Sequence, residues 1–63
     1  MFKIRLGGTS DFLSDIDWKA KECTFVKGWN NSSTLMFLTR EAAESADEAV
    51  SEIEGFHTSI EEV

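Results

Sequence analysis

The stretch TREAAESADEAVSEIEG, residues 39–55, decides how this chain folds. Ala42, Ala43, Ala46, Ala49, Val50 and Ile53 recur at helical spacing. At about 100° per residue they fall within an arc of roughly 120°. Glu41, Glu44, Glu48 and Glu52 gather on the opposite side, within about 80° of one another. Thr39 stands where a hydroxyl N-cap is expected, and Gly55 where a left-handed C-cap is. The spacing predicts one amphipathic helix whose apolar side needs a surface to cover it.

Upstream, the period is that of strands. Residues 1–6 alternate, with Phe2, Ile4 and Leu6 on one side and Lys3 and Arg5 on the other. Residues 7–11 (GGTSD) form a dense turn signal. Phe12, Leu13 and Ile16 are interrupted by Asp11, Asp15 and Asp17, so this part reads as a loop or a very short strand. Residues 19–27 read as a strand, and residues 34–39 (TLMFLT) are the most hydrophobic segment. The Gly/Asn/Ser-rich residues 28–33 between them predict an antiparallel hairpin, with residues 34–39 central because both faces are apolar. Past Gly55, residues 56–63 either continue the helix or form a last strand; the β-branched Thr58, Ile60 and Val63 favour the strand. The fold expected is α+β: a small antiparallel sheet of three to four strands with one amphipathic helix packed on one face, in a single domain over residues 1–63.

Composition narrows the chemistry. Twelve acidic side chains against six basic ones leave a charge of -6, which argues against direct nucleic-acid binding. One Cys and one His exclude an internal disulfide and a Cys/His metal site. The longest apolar run, residues 35–38, is far short of a membrane span or a signal-peptide core, so a cytoplasmic protein with no membrane partner is expected. A chain of 7.1 kDa should expose roughly 4,000 Å². A protein interface needs only about 800 Å² of that, whereas an enclosed substrate pocket competes with the core for residues. Binding another macromolecule is therefore expected, with no enzymatic activity, no cofactor and no metal.

The charge is unevenly spread. Residues 1–39 carry five basic and four acidic side chains, and residues 40–63 carry one basic and eight acidic, so the nets are +1 and -7. The face formed by Glu41, Glu44, Asp47, Glu48 and Glu52 is either a solvated surface that keeps the domain soluble or a surface shaped for a basic groove. Trp29, in a loop of small polar residues, either folds back to seal the core edge or stands out as an anchor for a partner. Trp18 reads as core or core edge. Lys3, Arg5, Lys19, Lys21 and Lys27 share the predicted outer face of the sheet, read as solvated. The Asp11, Asp15 and Asp17 spacing lacks the order of a calcium loop. Cys23, inside a predicted strand, reads as a buried thiol rather than a nucleophile paired with His57.

Residues 2–6 (FKIRL), then 12–14 (FLS), a hairpin, and FLTREAAE at 37–44 resemble, in that order, small acidic phage-type accessory proteins. In those, a Phe-x-Thr-x-x-Glu-Ala lead-in precedes the helix and an Ile/Glu/Val-rich strand follows it. Here Ala42 takes the place of the usual Glu, and Glu41 stands one residue early. The resemblance spans most of the chain, carries no catalytic residue across, and implies an inhibitor of a host enzyme of the CRISPR nuclease or transcription type. The expected partner is a host protein with a basic surface or groove, met in the host cytoplasm by the acidic helix face and Trp29. The alternative expectation is a small structural or self-associating module, a homodimer paired through a sheet edge.

Overall fold

The computed structural model describes residues 1–63. Strands β1 (Phe2–Leu6), β2 (Asp11–Asp17) and β3 (Glu22–Lys27) are followed by helix α1 (Arg40–Glu54) and strand β4 (Thr58–Glu62). The four strands form one antiparallel sheet in the order β3-β2-β1-β4, and α1 packs on one face of it. This is the α+β domain expected from the sequence.

The helix begins and ends where its caps require. Thr39 is extended (φ -122°, ψ 158°), and its Oγ1 accepts the Ala42 N–H at 3.1 Å. Gly55 adopts φ 71° and donates its N–H to the Ser51 carbonyl at 2.8 Å, closing the helix. The chain then returns as β4 beside β1, with Ile4 opposite Ile60 and Leu6 opposite Thr58. Gly7 admits this return: its N–H bonds the His57 carbonyl at 2.8 Å, and a Cβ there would lie 2.7 Å from that oxygen.

The core lies between helix and sheet. Ile4, Leu13 and Val50 are wholly buried and meet Ala46, with Ile16, Cys23, Phe25, Leu35, Phe37 and Ile60 packed around them. A polar cluster ties the helix flank to β4. The Thr58 hydroxyl donates to Asp47 Oδ1, and it shares a 2.6 Å hydrogen bond with Ser51 Oγ.

Three strand assignments differ from the sequence reading. Residues 11–17 are a full strand between β1 and β3 rather than a loop or very short strand. The reason is a bulge at Ser14: Leu13 faces Phe25 and Ile16 faces Cys23, so two core residues stand three apart and the period of two is broken. Residues 34–39 are not a strand and do not pair with residues 19–27. Phe37 exchanges two backbone hydrogen bonds with Phe2 (2.7 and 2.8 Å), and Leu35 N donates to the Leu13 carbonyl (2.8 Å). This short segment thus fills the gap where β1 and β2 splay apart. The true hairpin joins β2 to β3, and residues 19–21 belong to its turn, where Asp17 Oδ1 accepts the Lys19 and Ala20 N–H groups at 3.1 and 3.0 Å. Trp18, at the edge of that turn, is 60% exposed and is not a core residue.

Candidate functional site

Four of the five helix carboxylates singled out by spacing, Glu41, Glu44, Glu48 and Glu52, are exposed along one side of α1. None of them makes an ion pair; the two ion pairs in the structure are Arg5–Glu61 (2.5 Å) and Lys27–Asp11 (3.7 Å). Asp47 is different. It lies on the flank facing β4, half-buried, and accepts the Thr58 hydroxyl, so it serves packing rather than the open stripe.

The helix is rotated relative to its own apolar arc. Ala43, Ala46 and Val50 are buried, but Ala42 is exposed and Ala49 and Ile53 are only half-covered. Seating Asp47 and Ser51 against Thr58 on one flank turns Ala49 and Ile53 outward on the other. There they meet the β2–β3 turn and form a groove of about 390 Å³ lined by Trp18, Lys21, Ala49, Glu52 and Ile53. Its floor is aliphatic, one wall is the exposed Trp18 indole, and Glu52 joins its rim to the acidic stripe. Spacing alone does not reveal this groove, because Trp18 and the whole apolar arc read as core in the sequence.

Trp29 sits on the other side of the sheet. Asn31 pins its loop, donating through Nδ2 to the Lys27 carbonyl (3.1 Å) and accepting the Ser33 N–H (2.9 Å). The indole lies over the outer face, 44% exposed, edge-on to Phe12 with ring centroids 5.5 Å apart. It covers Lys3, which is only 3% exposed. The Lys3 ammonium donates to the Trp29 carbonyl and stands 3.4 Å from the indole and 4.9 Å from the Phe12 ring. Burial pushes the Lys3 pKa below its usual value. Lys3 is therefore not part of a solvated basic face, and Lys19 and Lys21 lie in the β2–β3 turn.

Cys23 is half-buried on the core side of β3, where burial and the Glu54 carboxylate push its thiol pKa up and away from nucleophilic use. No group of three metal-ligating side chains converges, and no helix is long and apolar enough to cross a membrane. Compared with protein-family models, curated proteins and solved structures, the chain matches none.

Proposed function

We propose that this chain is a non-enzymatic protein-binding module that meets a basic partner surface along α1. The observation that supports this most is the adjacency of two features: an unpaired stripe of Glu41, Glu44, Glu48 and Glu52, and a partly apolar groove walled by an exposed tryptophan. Charge of one sign steers a partner of the other over long range, and a desolvated aromatic anchor sets its residence time. Trp18 takes the anchor role that the sequence reading gave to Trp29, because Trp29 lies across the sheet from the stripe.

In its finer form the proposal is a phage-type inhibitor of a host nucleic-acid-processing enzyme, acting in the host cytoplasm. A cleft built for phosphates offers spaced cations, and carboxylates one helical turn apart repeat at about 5.4 Å. The phage-type part rests on the resemblance of residues 2–6, 12–14 and 37–44, in that order, to such proteins.

Affinity capture on the immobilised chain tests the proposal, with Glu44, Glu48 and Glu52 changed together to Lys in one variant and Trp18→Ala in another. The protein retained by the wild type should associate far more slowly with the triple variant at low salt. It should leave the Trp18→Ala variant about thirtyfold faster, the equivalent of about 2 kcal/mol. Unchanged retention by both variants overturns the proposal. A stable homodimer with no other partner would instead favour self-pairing through β4, an outer strand of the sheet.

A further inference from the structure

The outer face of the sheet, away from the helix groove, holds a cavity of about 260 Å³ whose lining includes Lys3, Trp29, Asn31, Thr34, Met36 and Val63. Two of its polar groups keep unused hydrogen-bonding capacity. An ammonium has three N–H donors, and the Lys3 ammonium finds one oxygen, the Trp29 carbonyl. It makes no ion pair. Glu61 stands directly opposite in the β1–β4 register, yet its carboxylate is taken by Arg5 at 2.5 Å. Thr34 lines the same cavity, and its Oγ1 is buried with no hydrogen-bond partner. A buried charge without a counter-ion and a buried hydroxyl without a partner both cost stability.

One ligand chemistry answers both. A carboxylate brings the missing negative charge and two acceptor oxygens, whereas a neutral carbonyl leaves the ammonium uncompensated. A phosphate dianion would meet a single cation in a chain of net charge -6. Asn31 spends its amide oxygen and one Nδ2 hydrogen within the loop, which leaves its second Nδ2 hydrogen as a further donor for the same carboxylate. The indole, Met36 and Val63 provide an apolar wall for the rest of the ligand. At about 30 Å³ per water-sized volume, the space corresponds to roughly eight non-hydrogen atoms.

We propose that this cavity binds a small organic monocarboxylate, with its carboxylate between Lys3 Nζ and Thr34 Oγ1 and its apolar body against Trp29 and Met36. The site is independent of the helix groove, and neither proposal needs the other.

The test is a titration of the isotope-labelled chain with sodium butyrate, against butyramide at matched ionic strength, followed by amide chemical shifts. Butyrate should shift the amides of residues 29–34 saturably in the millimolar range, and butyramide should bind at least tenfold more weakly. Lys3→Met should weaken butyrate at least tenfold, and Thr34→Val should weaken it severalfold. In the wild type, butyrate should move the titration of the Lys3 Cε resonance to higher pH, a readout that needs no variant. Equal responses to acid and amide, an unmoved Lys3 titration, or shifts confined to the helix side would overturn the proposal.

Discussion

On the helix side of the sheet, Ile4, Leu13 and Val50 are wholly buried among aliphatic neighbours. On the other side, Phe12 is just as deeply buried, but beneath one tryptophan that also covers a lysine. The first surface excludes water through regular spacing, with a row of apolar side chains from each element meeting another row. The second does so through a single loop residue, and it accepts a charged group whose methylene stem packs while its ammonium is held by a carbonyl and two aromatic faces. Truncating a helix-side core residue should therefore cost more than truncating Trp29, and on the outer side Trp29 should matter more than the lysine it covers.

Leu13→Ala should be the most damaging of these changes, costing about 3 kcal/mol because the packed helix side cannot collapse into the space. A loss under about 1 kcal/mol in denaturant unfolding would show that this core is loose. Trp29→Ala should follow, at about 2 kcal/mol, combining the edge-on pair with Phe12 and the cation–π contact with Lys3. Thr39→Ala should remove about 1 kcal/mol by leaving the Ala42 N–H without its cap; helix content near 222 nm should survive while the midpoint falls.

Lys3→Met should have the smallest effect, within about 1 kcal/mol of the wild type, because it keeps the packing and removes the cost of burying charge. Its signature is pH dependence. Burial holds the folded Lys3 pKa below the usual 10.5, so between those two values the unfolded chain binds more protons. The cost is complete below the folded value and fades as the pH rises through it. The stability of the wild type should accordingly climb relative to Lys3→Met as the pH approaches 10.5; parallel curves would contradict the burial of a charged lysine.

The start of the helix was legible to the residue and its end at Gly55 was favoured, because the signals are local: Thr39, Gly55 and the spacing between them. Strand β1 was legible through its alternation, and β4 through its β-branched residues after a Gly. Strand β2 was not, since the Ser14 bulge sets Leu13 and Ile16 three apart and Asp15 and Asp17 mimic a loop. Residues 34–39 misled for the opposite reason: their hydrophobicity reflects a position between β1 and β2, which a short bridged segment fills as well as a strand does. For the site, exposure of Glu41, Glu44, Glu48 and Glu52 could be read from spacing. The diversion of Asp47 to Thr58 depends on where β4 lands, a contact eleven residues away in sequence. The settings of the two tryptophans, Trp18 exposed and Trp29 packed over Phe12 and Lys3, were hidden for a similar reason, because a turn residue and a loop residue differ only in what the remaining chain places beneath them.

Trp29 is packed over Phe12 and Lys3, whereas Trp18 stands exposed beside the helix groove. Denaturant unfolding of Trp29→Ala beside Trp18→Ala measures this contrast. The expected loss is about 2 kcal/mol for Trp29→Ala, against a change within about 0.5 kcal/mol for Trp18→Ala, as for an ordinary surface substitution. Equal losses, or the larger loss at Trp18, would contradict it.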